Sequence, residues 1–158
     1  AGDQPNNAFS LNIFKKGQTA LSGGTSGVIY SLTDFQSVKK NLKLNYFAHI
    51  DYSDKVRSIG ELACINGAGA MLKWLKNLFG ENSYQNMDKI AATTCIGCNK
   101  LAVFPFGNGS ERILDNQNIG GQFSSINFNT HSKAQFFRAT IEGIAFAFGK
   151  HSSQAILE

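Results

Sequence analysis

Two short stretches of this chain carry residue types suited to phosphate chemistry. Ala1-Gly2-Asp3-Gln4 presents a carboxylate and an amide just ahead of Pro5 and the apolar Ala8 and Phe9. Further on, Ser22-Gly23-Gly24-Thr25-Ser26-Gly27 combines three glycines with three hydroxyls. Moving a phosphoryl group onto a hydroxyl requires positioning, charge neutralisation and an acceptor for the hydroxyl proton. A carboxylate at a strand exit and helix start supplies such an acceptor, and the helix dipole favours its ionised form. Asp3 fits that role, and equally fits a plain helix cap. In the second stretch, glycine lets backbone N–H groups approach anionic oxygens, with hydroxyls beside them. It is not a P-loop, since the lysine is missing and strand-like runs flank it. An ordinary hairpin turn is the competing reading.

Three later segments add to these. Ile65-Asn66-Gly67-Ala68-Gly69-Ala70-Met71-Leu72-Lys73-Trp74-Leu75 opens a helix with small residues that allow a ligand or another backbone to come close. Phe104-Pro105-Phe106-Gly107-Asn108-Gly109-Ser110-Glu111-Arg112 closes an apolar strand. Arg138-Ala139-Thr140-Ile141-Glu142-Gly143-Ile144-Ala145-Phe146 reads as scaffold helix, with Arg138 and Glu142 spaced to pair and Gly143 permitting close packing.

In order and spacing, these five segments resemble the C-terminal half of the FGGY carbohydrate kinases, most closely the xylulokinase branch. The resemblance implies an α/β fold, one ribonuclease H-like, actin-like ATPase lobe: a mixed sheet with flanking helices, truncated before its final strand and helix. Residues 1–158 would be part of the nucleotide-binding C-terminal domain, with the N-terminal sugar-binding domain absent. It makes Asp3 the catalytic base and a sugar contact, and Gln4 a substrate contact. Gly24, Thr25 and Ser26 would cradle the transferred phosphate of ATP, with Gly69 and Lys73 lining the nucleotide. Two departures stand out: Lys73 occupies a position that is more often Gln or Ser, and Gly109-Ser110 reverses the usual Ser-Gly order. The glycine-rich adenosine motif is missing.

The implied reaction transfers the γ-phosphate of ATP, with Mg2+, to a sugar hydroxyl, D-xylulose giving D-xylulose 5-phosphate. A glycerol, gluconate or other polyol kinase is the alternative within the family, and a non-catalytic actin-like ATP-binding module the alternative outside it. The implied partners are a sugar or polyol and the enzyme's own N-terminal lobe, with a homodimer left open. The isolated fragment is expected to be inactive.

The elements that must position these residues follow from periodicity. Asp3 caps a helix whose apolar face runs through Ala8, Phe9, Leu11 and Ile13. Gln18–Leu21 and Val28–Leu32 read as strands joined by the glycine turn, with further strands within Tyr46–Tyr52 and Arg57–Ile65. Ala70, Met71, Trp74, Leu75 and Leu78 recur at helical spacing before Gly80, and Met87–Thr94 suggests another helix. Leu101–Phe106 and Gly121–Phe128 read as strands, the second with Phe123, Ile126 and Phe128 as its apolar members. Ser132 caps a long helix with Phe136, Phe137, Thr140, Ile141, Ile144, Phe148 and Ala155 on one side. Ala1-Gly2-Asp3 and the stop at Glu158 read as cut ends.

Composition narrows the classes. At 158 residues, 42% apolar and 16% charged, the chain suits one domain with a core, and its thirteen Phe make that core Phe-rich. The net charge of +4 is mild and its lysines scattered, Lys15-Lys16 and Lys39-Lys40 being the doublets, so a nucleic-acid surface is not expected. No apolar run reaches the ~20 residues of a membrane span, and no signal-peptide pattern opens the chain. Three cysteines (Cys64, Cys95, Cys98) make an odd count, which favours a reduced, cytoplasmic setting. Cys95-Ile96-Gly97-Cys98 has zinc or redox spacing, but no second pair accompanies it, so ordinary thiols are the expectation. His49, His131 and His151 join no metal spacing, and no metal site is expected.

Overall fold

The computed structural model describes residues 3–38, 44–109 and 114–156, the last seven of them, like Ser37, by backbone alone. Ala1-Gly2, Lys39-Lys40, Ser110-Glu111-Arg112 and Glu158 lie outside the described residues, as does the side chain of Ala155. The order of elements is α1 (Asp3–Ser10), β1 (Thr19–Gly23), β2 (Gly27–Asp34), β3 (Asn45–Ala48), β4 (Ser58–Ile65), α2 (Ala68–Leu78), α3 (Tyr84–Ala91), β5 (Ala102–Phe104), β6 (Gln122–Ser124) and α4 (Lys133–Ile156).

Four strands form one sheet in the order β1-β2-β4-β3, and β5 pairs with β6 in a second; all these pairings are antiparallel. Residues of opposite parity on a strand face opposite sides, and both sides of the first sheet are covered. Val28, Tyr30, Leu32 and Leu62 pack with Ala8 of α1 and Ile13 on one side. Ala63 and Ile65 pack with Ala68 of α2 and with Ile144, Ala147 and Phe148 of α4 on the other. That coverage is why β2 carries apolar residues at Val28, Ile29, Tyr30 and Leu32 on both of its faces and is buried over six consecutive residues.

The helices end where local chemistry stops them. Gly80, at φ +63°, closes α2 with its N–H on the Asn77 carbonyl while the Glu81 N–H reaches the Lys76 carbonyl, a glycine C-cap. Ser83 Oγ accepts from the Asn86 N–H at 3.1 Å and so starts α3 at Tyr84, ahead of the expected Met87. At α4, the Ser132 N–H donates to Gln135 Oε1 at 2.9 Å, the capping-box arrangement. Among the described residues no helix is long and apolar enough to cross a membrane.

Several expected apolar faces are open instead. Asp3 is the first residue of α1, not its cap, and α1 stops at Ser10, before Asn12 at φ +59°. Helical register therefore buries Ala8 while Phe9 and Leu11 stay exposed. On α2 the core takes Met71 and Leu75, and Trp74 and Leu78 are left outward. Strand β6 is only three residues long because β5 offers it only three partners. Ser125 then turns at φ +64°, leaving Ile126 and Phe128 exposed.

Helix α4 holds the two halves together. Phe137 is fully buried with Leu75 and Met87. Gly143 lies so close to β5 that a Cβ there would overlap the Val103 carbonyl oxygen. At its start, Lys133 Nζ reaches the buried Glu81 at 2.7 Å, and Glu81 also accepts from Asn86 Nδ2, tying the end of α2 to α3 and α4. The hydrogen bonds from Lys133 and Asn86 hold the Glu81 carboxyl below its usual range.

Gly143→Ala is expected to cost about 1–3 kcal/mol through overpacking. At about 2–4 °C per kcal/mol, differential scanning fluorimetry should read a clear drop in Tm. For Glu81, a carboxylate with a lowered folded pKa contributes stability above its unfolded pKa of about 4.3 and loses it as pH falls through the folded value. Glu81→Gln should therefore melt earlier than wild type at neutral pH, with the gap closing in acid; a pH-independent gap would contradict this.

Candidate functional site

Strands β1 and β2 pair in register down to Gly23 opposite Gly27, which leaves Gly24, Thr25 and Ser26 to reverse the chain. The Gly24 N–H closes this turn on the Ser26 carbonyl at 3.0 Å. Gly27 has no room for a side chain, because a Cβ would overlap the ring of Phe148 from α4. The turn residues Gly23, Gly24 and Thr25 remain exposed.

The first turn of α2 sits directly against this reversal. A Cβ on Gly69 would overlap the Gly24 carbonyl oxygen, so glycine here allows two backbones to touch. The Ala70 N–H donates to the Thr25 carbonyl at 3.0 Å, and Ser26 Oγ donates to the Asn66 carbonyl at 3.5 Å. One of the N–H groups that a helix start leaves without an intrahelical partner is thus spent on seating the turn. The positive end of the α2 dipole consequently lies at the glycine turn.

An open cleft of about 790 Å³ runs over this junction. It is lined by Gly24 and Thr25, by Gly69 and Lys73 of α2, and by the half-exposed rings of Trp74 and Tyr84. The structure therefore brings Gly24, Thr25, Gly69 and Lys73 together, with Ser26 inside the same turn. Asp3 and Gln4 are not among the residues lining the cleft; Asp3 is exposed in the first turn of α1, and Gln4 is half-buried. A helix N-terminus, backbone-rich turn and free-reaching ammonium suit a chain of phosphates, and flat rings beside them suit a base. Among the described residues no group of three or more His, Cys, Asp or Glu side chains is placed to hold a metal ion.

No family model matches the chain. A xylulose kinase from Staphylococcus epidermidis is 31% identical over 147 residues, which is 92% of this chain and 29% of that protein. A gluconokinase from Bacillus subtilis is 27% identical over 149 residues, 87% of this chain and 28% of its own length. The chain is a relative of the FGGY sugar kinases. The solved xylulose kinase from Rhodospirillum rubrum aligns over 97% of this chain and 30% of its own, with a TM-score of 0.84 at 24% identity. The fold is accordingly the α/β, actin-like ATPase lobe of these kinases. The chain spans less than a third of the length of each of these three proteins.

Away from the cleft, the scaffold pair expected within α4 is present. Arg138 Nε meets Glu142 Oε1 at 2.7 Å, one helical turn apart. Burial opposes the charged form of Glu142, but hydrogen bonds from Arg138, the Gly97 N–H and the Cys98 thiol outweigh it and hold the carboxyl below its usual range. Cys98 is fully buried, and burial together with the Glu142 charge pushes its thiol up to about 11. Sequence reasoning missed the buried pair Tyr30 and His49, whose Oη and Nδ1 lie 2.9 Å apart beneath Gly60. Burial, followed by the charge of Asp51, raises the Tyr30 hydroxyl above its ordinary value. Only pairing β3 and β2 on either side of β4 brings these residues together, and no local spacing encodes that.

Gly69→Ala should force the Gly24 carbonyl away, lowering Tm by several degrees and speeding hydrogen exchange at the Ala70 amide. Lys73→Ala, a surface change, should leave Tm within about 2 °C of wild type. Equal losses for the two variants would show that the junction is not the constrained element.

Proposed function

We propose that this chain is the nucleotide-handling part of an ATP-dependent sugar kinase. In this reading it passes the γ-phosphoryl group of ATP to a sugar hydroxyl, with D-xylulose as acceptor. The observation that carries the reading is the seating of the Gly24–Ser26 turn on the N-terminus of α2, in one cleft with Lys73. Backbone N–H groups and the helix dipole would hold the phosphates there, and Lys73 would add a point charge. Phosphate-bound Mg2+ would supply further charge neutralisation, with Thr25 and Ser26 of the turn beside it.

Asp3 is the proton acceptor in this proposal and Gln4 orients the sugar. As the sugar oxygen bonds to the γ-phosphorus and the bond to ADP breaks, the hydroxyl proton passes to the Asp3 carboxylate. Asp3 stands in the first turn of α1. Because it lies apart from the cleft lining, the sugar must bridge the two, which calls for a second lobe to hold it. Closure of that lobe would exclude water and limit ATP hydrolysis. A homodimer and a cytoplasmic setting belong to the same proposal. The match to gluconokinase supports gluconate as the second candidate acceptor; glycerol stands behind both.

ADP release should be measured across ketoses, polyols and gluconate, using this chain together with its sugar-binding lobe. Selective turnover of D-xylulose, cut by about 10²–10⁴-fold in Asp3→Asn with nucleotide affinity unchanged, is the expected result. Lys73→Ala should weaken ATP binding about tenfold, the loss of one charge-assisted contact. Full kcat in Asp3→Asn would overturn the assignment of the base, and turnover of gluconate alone would move the acceptor.

A further inference from the structure

We propose that Cys95 and Cys98 form a thiol–disulfide exchange site that takes a small-molecule disulfide as its co-reactant. The two residues occupy the corners of one turn: the Cys98 N–H donates to the Cys95 carbonyl at 3.2 Å. Such closure keeps the first and fourth Cα atoms within about 7 Å, and a disulfide needs about 4.4–6.8 Å. Cys95 is exposed and accessible to a reagent, whereas Cys98 is fully buried behind it. This is the division of labour between an attacking and a resolving thiol.

Neither thiol is held by a strong partner. Cys95 Sγ donates to Asn99 Oδ1 at 3.6 Å and Cys98 Sγ to Glu142 Oε2 at 3.5 Å, both weak thiol contacts. Glu142 keeps its bonds to Arg138 and the Gly97 N–H when the thiol leaves. The backbone also favours rearrangement. Gly97, Cys98, Asn99 and Lys100 have φ of +83°, +48°, +51° and +73°, a left-handed run that includes three non-glycine residues. A metal is not the alternative occupant, because no third ligand joins this pair among the described residues.

The reaction balances as follows. Cys95 Sγ attacks one sulfur of the disulfide RSSR, whose S–S bond breaks, and the first RSH departs with the Cys95 proton. Cys98 Sγ then attacks Cys95 Sγ, the mixed S–S bond breaks, and the second RSH departs with the Cys98 proton. Two electrons and two protons have passed from the pair to the co-reactant, which leaves a Cys95–Cys98 disulfide. The high pKa of the buried Cys98 thiol makes the second step the slower one.

The test is incubation of the protein with oxidised glutathione, unfolding in guanidinium, alkylation and peptide mass mapping. The expected result is loss of alkylation at both Cys95 and Cys98, a peptide two hydrogens lighter, and recovery of both thiols with dithiothreitol. Cys64, whose thiol donates to Asn66 Oδ1 at 3.1 Å, serves as the internal reference and stays alkylated. Cys98→Ala should stop at a stable glutathione adduct on Cys95, and Cys95→Ser should leave Cys98 fully alkylated. A persistent adduct on Cys95 in the native sequence, or no reaction at either residue, would overturn the proposal.

Discussion

The contact between Gly69 and the Gly24 carbonyl is the constraint on which the rest depends. It is a backbone-to-backbone approach that any side chain would forbid, and it fixes a helix start against a strand reversal. Once made, it places the α2 dipole, the Ala70 N–H bond and Lys73 on one side of the sheet. Everything proposed about phosphate binding follows from that placement. The packing around it is correspondingly unforgiving: Gly27 yields to the Phe148 ring and Gly67 to the Pro105 carbonyl.

Helix α4 converts this local contact into a rigid lobe. Its Phe148 reaches the sheet at Gly27, its Gly143 meets β5, and its Phe137 fills the space between α2 and α3. The Lys133–Glu81 pair then anchors the helix start. Interiors at this density transmit displacement instead of absorbing it, so the cleft inherits its shape from a helix that contributes only Ile144 and Phe148 to its lining.

The elements were legible in the sequence wherever local chemistry decides. The Gly/Thr/Ser turn, the Gly80 stop, the Ser132 cap and the Arg138–Glu142 pair all follow from spacing alone. Faces were less legible, since Trp74 and Leu78 share the α2 periodicity with Met71 and Leu75 but not their burial. Which part of an apolar stripe is covered depends on the partner helix, and periodicity does not name the partner. The Tyr30–His49 pair and the buried Glu81 were invisible for the same reason, being products of tertiary placement. In the site, the residues of the turn and of α2 converge as their glycines suggested. Asp3 and Gln4 rest on the family resemblance, because α1 contributes nothing to the cleft itself.

The most direct test is to titrate MgATP into ¹⁵N-labelled protein and follow the amide resonances. If the turn and the start of α2 form the phosphate cradle, shifts will concentrate at Gly24–Ser26 and from Ala68 to Lys73. Adenosine, lacking phosphates, will leave those amides in place. Shifts confined to residues outside the turn and α2, or the same pattern with adenosine as with MgATP, would contradict it.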